Sequence, residues 1–216
     1  MLKRGLGQQA ADLLRADILS GKLKPGEQIT EEALAAHFGI SRGTVRAAVQ
    51  QLVHEGIIKY EPYKGNTVYP LDAQDVWEIY TLRNTLEAMA TRLTAEQITT
   101  DGKTQLTAVL EELKTAVASN SQATIINADF ALHLTIFQLS GHKRLQAQYK
   151  QLENLTRLYM NAHIGYHTSF GDLLQEHIDL VEAILNGNAD TAEQLAKEHN
   201  TADGLFLQQQ LTQDQN

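Results

Sequence analysis

The chain has 216 residues and a formal net charge of −8; 43% of it is hydrophobic and 20% charged, which supports a packed core and excludes a disordered chain. No apolar run approaches the roughly 20 residues of a membrane span, and Met1 to Gln8 lack the apolar stretch of a secretory signal. Zero cysteines exclude disulfides, thiolate metal sites and a cysteine nucleophile. Together with only three prolines, this reads as a mainly helical, cytoplasmic protein.

All three prolines, Pro25, Pro62 and Pro70, fall in the first seventy residues. Residues 8–20 predict an amphipathic helix with Ala10, Leu14 and Ile18 on one stripe, stopped by the Pro25-Gly26 turn. Thr30 caps a second helix whose first turn carries Glu31 and Glu32 at the positive end of the helix dipole. It breaks at Gly39. Ser41 caps a third helix, ending near Gly56. Ile57–Tyr60 and Thr67–Tyr69 then form a short hairpin around Glu61 to Asn66. Beyond Pro70 six helices are predicted, roughly 72–95, 101–119, 122–140, 142–163, 169–186 and 189–210. The first of these carries Ile79, Leu82, Leu86, Met89 and Leu93 on an apolar stripe, and the Gln-rich end from Gln208 is expected to fray. The expected fold is therefore a winged helix-turn-helix over residues 1–70 and an all-α, six-helix bundle over 71–216.

Charge divides the same way. Residues 1–70 hold nine Lys/Arg and seven Asp/Glu, a balance of +2, while residues 71–216 hold nine and nineteen, a balance of −10. A locally positive segment can meet phosphate even in an acidic chain. Within residues 31–50, Leu34 and Ala35 sit mid-helix, Phe38-Gly39-Ile40 makes the turn, and Val45 and Ala48 face inward, as a helix-turn-helix requires. The second helix then presents Ser41, Arg42, Thr44 and Arg46 at the end that enters a major groove, where arginine can fork onto guanine O6 and N7. Lys64 and Gly65 sit at the tip of a wing suited to phosphate or minor-groove contact. The alternative is that Arg42 and Arg46 only solvate a helix face.

Leu23-Lys24-Pro25-Gly26, Leu34-Ala35, Phe38-Gly39-Ile40-Ser41-Arg42, Val45-Arg46, Leu52 and Glu55-Gly56-Ile57 resemble the winged-helix domain of the GntR family of bacterial transcription regulators. Arg83, Leu86-Glu87, Asp129-Phe130, His133, Glu176-His177 and His199 resemble that family's FadR-type helical effector domain, called FCD. Six effector helices point to its VanR-like branch. The resemblance implies a homodimer on a near-palindromic operator, controlled by a small organic or sugar acid. It also implies DNA contacts at Arg42, Thr44, Arg46 and Gly65. Glu32 lies near a position where some relatives present a DNA-contacting arginine, so no operator preference is carried over.

Asp129 and His133, four apart, share a helix face. His177 and His199 lie ten residues before and twelve after Gly187, so about 15 and 18 Å from the bend at ~1.5 Å per residue. Three histidines and a carboxylate can then converge inside a bundle, a set suited to zinc first, and to nickel, manganese or iron. An isolated Asp-x-x-x-His pair is usually a solvated face or a capped core contact; the match to the FCD ligand pattern at all four positions implies a metal. Arg83 and Glu87 extend a second stripe with Val76, Tyr80 and Ala90. They read either as a clamp for an effector carboxylate or as an i,i+4 pair on the bundle surface. Arg157 is a weaker candidate of the same kind. No nucleophile elbow or phosphate-binding glycine loop points to an enzyme. The rival readings are a DNA-tethering dimer with a structural metal and no effector, and a metal-dependent hydrolase with a DNA-binding head.

Overall fold

A computed structural model describes residues 5–166 and 170–214. The chain divides into two compact units, Met1–Leu71 with Asn154–Tyr159, and Asp72–Glu153 with Met160–Asn216.

The first unit contains α1 (Leu6–Leu19), β1 (Gln28–Ile29), α2 (Glu31–Phe38), α3 (Arg42–His54), β2 (Ile58–Glu61) and β3 (Gly65–Val68). Local chemistry sets the helix ends. The Thr30 side chain accepts from Ala33 N and that of Ser41 from Thr44 N, each satisfying a first-turn donor. Between them Gly39 takes φ +65, a left-handed cap that closes α2 as Ile40 N donates to Ala35 O at 3.2 Å. Leu14 and Ile18 of α1, Val45, Val49 and Leu52 of α3, and Ile29, Ile57, Ile58 and Val68 form one core. Arg15 reaches from α1 to Glu55 at the end of α3 through two bonds of 2.7 and 2.6 Å. The expected hairpin is antiparallel, with Ile58 opposite Val68 and Glu61 opposite Gly65. A third strand, β1, pairs with β3, giving the order β1-β3-β2. Two residues are too short to show a period-2 pattern, so β1 is invisible in the sequence.

The second unit contains α4 (Ala73–Gln97), α5 (Thr100–Ser119), α6 (Gln122–Leu139), α8 (Gly171–Leu185), α9 (Ala189–Asp214) and both ends of α7 (Lys143–Gly165), whose stretch Asn154–Tyr159 groups with the first unit. Asp72, Thr99 and His142 cap α4, α5 and α7 by accepting from backbone amides. Leu106, Leu113, Ile125, Phe130, Leu132, Val181 and Ile184 are fully enclosed in the core. Gly204 of α9 lets that helix approach α4: a Cβ there would lie 2.8 Å from Cβ of Tyr80. The end of α9 does not fray as expected. It runs to Asp214, with Leu207 buried and the Gln208 amide donating to Ala73 O at 2.8 Å.

The face of α4 is the main correction. Leu82 and Met89, expected inside, are 44% and 46% exposed, whereas Arg83 and Glu87 are 1% and 3% exposed, with Thr91 and Thr94 also buried. The second stripe is the inward one, and its polarity marks the interior as a site rather than plain core.

Candidate DNA-reading face and metal centre

On the first unit, the residues singled out for DNA gather at the start of α3 and on the β2–β3 wing. Ser41 Oγ is engaged within the motif, accepting from Thr44 N at 3.2 Å and lying 2.8 Å from Thr44 Oγ1. Arg42 and Arg46 are exposed, and each has a carboxylate from α2 beside it. Glu31 takes Nε and Nη2 of Arg46 at 2.8–3.1 Å, and Glu32 lies 3.7 Å from Arg42 Nη2. The hydrogen bonds from Arg46 hold the Glu31 carboxyl below its usual range. Arg46 Nη1 keeps no bond to the described residues, so Glu31 fixes the guanidinium while part of its donor fork stays available. Glu31 read in sequence only as a first-turn acid; its second role needed the helix crossing. On the wing, Gly65 has φ +90 and Lys64 is exposed, its ammonium 2.7 Å from Glu61. Lys64 and Lys59 together lower the Glu61 carboxyl to about 2.

On the second unit, Asp129 and His133 of α6, His177 of α8 and His199 of α9 are all buried and brought together. Asp129 Oδ1 lies 2.9 Å from His177 Nε2 and 3.2 Å from His133 Nε2, and those two nitrogens are 3.3 Å apart. Neighbouring donors on one ion, each about 2.0–2.2 Å from it, are roughly 3.0–3.5 Å apart. The His199 ring stacks on His133 at 5.7 Å and meets His177 edge-on at 4.7 Å. Ligand atoms of the three histidines all lie within 4.8 Å of one another.

The opposite ring nitrogens are anchored. His177 Nδ1 is 2.7 Å from Leu173 O, which can only accept, so Nδ1 bears the proton. His133 Nδ1 lies 3.0 Å from Glu87 Oε2 and His199 Nδ1 2.8 Å from Glu176 Oε2. In the neutral rings, lone pairs on Nε2 of His133 and His177 then face each other and the Asp129 carboxylate, whose Oδ1 accepts no hydrogen bond. That arrangement calls for a cation, and the donor set fits a divalent metal with imidazoles oriented by carboxylate and carbonyl partners. In its place a proton can serve. Burial opposes charge on His133, but Glu87 and Asp129 outweigh it and raise its pKa to about 10. His199 is also raised: burial resists, and Asp203 and Glu176 prevail.

Glu87 is the hub that sequence reasoning placed only beside Arg83. Its Oε1 accepts from Arg83 Nε at 3.0 Å and its Oε2 from the Asn200 amide at 2.9 Å, in addition to facing His133. Burial works against its charge, yet Arg83 and His133 keep the carboxyl well below its ordinary range. Arg83 lies 4.8 Å from the centroid of the Tyr80 ring, and its Nη1 is a buried donor without an acceptor. Tyr80 Oη, Tyr149 Oη and Asn200 Oδ1 are likewise buried and unsatisfied. A buried polar atom without a protein partner calls for a water, an ion or a ligand group beside it. Asn200 carried no signal of its own beyond adjacency to His199. Arg157 is half-buried and falls in the α7 stretch that groups with the first unit. His142 caps α7, His163 is buried with Nε2 3.5 Å from Asp203, and His167 lies outside the described residues.

Residues 6–68 match the bacterial regulatory proteins of the gntR family and residues 78–202 match the FCD domain. The chain belongs to the GntR family. This GntR-family chain is 31% identical over 192 residues to the uncharacterised HTH-type transcriptional regulator YdhC of Bacillus subtilis (strain 168), covering 86% of the chain and 84% of that protein. It is 28% identical over 191 residues to the gluconate operon transcriptional repressor of the same organism, covering 84% and 76%. A crystal structure of a putative GntR transcriptional regulator from Rhodococcus sp. RHA1 shares the fold, with a TM-score of 0.79 and 22% identity over 93% of this chain and 96% of that one. The regulator is therefore a DNA-binding transcription factor of FadR-type architecture and not an enzyme. No described helix is long and apolar enough to cross a membrane.

Proposed function

We propose that this regulator is a homodimeric repressor whose grip on a near-palindromic operator is released by a small organic or sugar acid, bound at a metal held by Asp129, His133, His177 and His199. The observation that carries the reading is the triangle of Asp129 Oδ1, His133 Nε2 and His177 Nε2, with edges of 2.9, 3.2 and 3.3 Å. Zinc suits a set of imidazoles and one carboxylate best, with nickel, manganese and iron as competitors. When bound, the ion would supply a Lewis-acidic anchor for a carboxylate oxygen. The chain's own residues do the rest: Arg83 Nη1 supplies a charge-assisted donor, and the hydroxyls of Tyr80 and Tyr149 and the Asn200 carbonyl offer partners for hydroxyl groups. That hydroxyl-ready lining favours a sugar acid, as does the likeness to a gluconate operon repressor. Six helices in the second unit, among the described residues, favour the VanR-like branch. Two recognition helices are needed because one reads too few base pairs for genomic specificity. Gluconate, titrated against the protein on its operator by fluorescence anisotropy, should release DNA from the zinc-loaded protein and not from the Arg83→Ala variant. Retention of DNA at every acid concentration, with zinc bound, would instead favour a structural metal without an effector.

The DNA face carries its own expectation. Arg42→Ala and Arg46→Ala should each weaken operator binding by about 1–3 kcal/mol and relax the preference at one base pair. Lys64→Ala should weaken all sequences alike and reduce the salt slope by less than the full unit of a free cation, because Glu61 already pairs with the ammonium. Normal operator binding by both arginine variants would remove α3 from the groove.

A further inference from the structure

The wing ends in a residue that the fold does not need. Lys64 N donates to Glu61 O at 3.1 Å, closing the turn Glu61-Pro62-Tyr63-Lys64. Proline at the second position fixes a negative φ, and Tyr63 at the third has φ +68. That combination is a type II turn, whose third residue is ordinarily glycine or asparagine because a Cβ is strained there. A bulky aromatic at positive φ is an outlier. Nothing among the described residues offsets its strain. Tyr63 is 108% exposed and has no hydrogen bond, ion pair or ring contact with any described residue. Its neighbours, by contrast, are held: Glu61 pairs with Lys59 and Lys64, and the Gln28 amide of β1 donates to Lys64 O at 3.0 Å. A braced tip thus displays one strained, solvent-facing ring beside a lysine, on the same unit as the recognition helix. Strained residues retained against their own cost cluster where a ligand is met.

We infer that Tyr63 is a DNA contact in its own right, its ring packing into the minor groove beside the base pairs read by α3. The proposal rests on the family's DNA binding and adds a reader of groove width that neither Arg42 nor Arg46 supplies. An apolar ring fits between sugar walls where the groove is narrow and unobstructed, as in A·T-rich DNA, and is hindered by the guanine N2 amino group.

The test uses the full-length protein and a duplex that it selects itself from a random pool. Tyr63→Gly suits the turn, so it should melt no lower than the wild type while binding the selected duplex about tenfold more weakly with an unchanged salt slope. Tyr63→Phe should bind nearly as the wild type does. Replacing flanking A·T pairs by G·C should weaken the wild type, inosine·cytosine pairs should restore it, and Tyr63→Gly should be indifferent to all three. Equal affinity of Tyr63→Gly and wild type would overturn the inference, as would a loss that comes with a lower melting temperature or that Tyr63→Phe shares. A wild type that selects no duplex would bring down the DNA-reading face itself, and the inference with it.

Discussion

Stripping the proposed metal should lower the melting temperature of the second unit by roughly 8–16 °C. A ligand of the native state at a thousand times its dissociation constant stabilises by about 4 kcal/mol, and each kcal/mol is worth about 2–4 °C in a chain of this size. The effect is large because α6, α8 and α9 each contribute to one cluster, so one ion would tie three helices. In His177→Ala, zinc should leave the melting curve where it lies. pH supplies a second signature. The raised His133 value means that its charged form stabilises the metal-free fold. That contribution is complete below the ordinary imidazole value, near 6.5, and disappears as pH rises through about 10. Metal must displace that proton and the one favoured on His199, so zinc affinity should rise at least tenfold per pH unit between roughly 7 and 9. The gap between metal-loaded and metal-free melting temperatures should widen accordingly. Calorimetry showing no zinc-dependent shift, with less than one transition metal per chain by elemental analysis, would end the metal assignment.

Glu87→Ala should destabilise the protein by about 3–5 kcal/mol, more than any exposed charge in the chain. Removing one member of a buried ionic set leaves the others uncompensated, and here two positive partners, Arg83 and His133, lose the same carboxylate. Arg83→Met combined with Glu87→Leu should cost less than the sum of the two single changes, because the double variant removes the pair rather than stranding half of it. Denaturant titrations of the four proteins measure this directly. Additive costs would show that Arg83 and Glu87 do not act as a unit.

How much of this could be read from the amino acids depends on where the signal lies. The helix-turn-helix was legible because its constraints are local: a glycine in the left-handed region at position 39 and two capping hydroxyls at 30 and 41 announce themselves by residue type. The similar height of His177 and His199 was legible from their spacing about the Gly187 bend, since antiparallel helices keep height, whereas the place of His133 beside them came only with the FCD resemblance. The burial of α4 was legible only in part. Leu82 and Met89 look like core while Arg83 and Glu87 suit a clamp as well as a surface pair, and only the packing of α9 through Gly204 and Asn200 shows which side turns inward. Glu31 holding Arg46 and Glu87 holding His133 were out of reach for a related reason. Partners 15 and 46 positions away in the chain are set by how helices cross, which a periodic pattern does not encode.

The glutamates beside Arg42, Arg46, Lys59 and Lys64 bear on how such a protein searches a genome. Nonspecific attachment to DNA comes from cations that displace the counterions condensed on phosphates. On the face proposed to read DNA, the carboxylates of Glu31, Glu32 and Glu61 already stand near those cations, so the surface drawn to arbitrary sequence is close to neutral. Fewer molecules are then sequestered among about a million or more competing sites. An arginine already neutralised gains little from a phosphate, and keeps its remaining donors for a base edge that matches them. Occupancy of the operator at low copy number follows from weak attraction everywhere else as much as from strong attraction at one place.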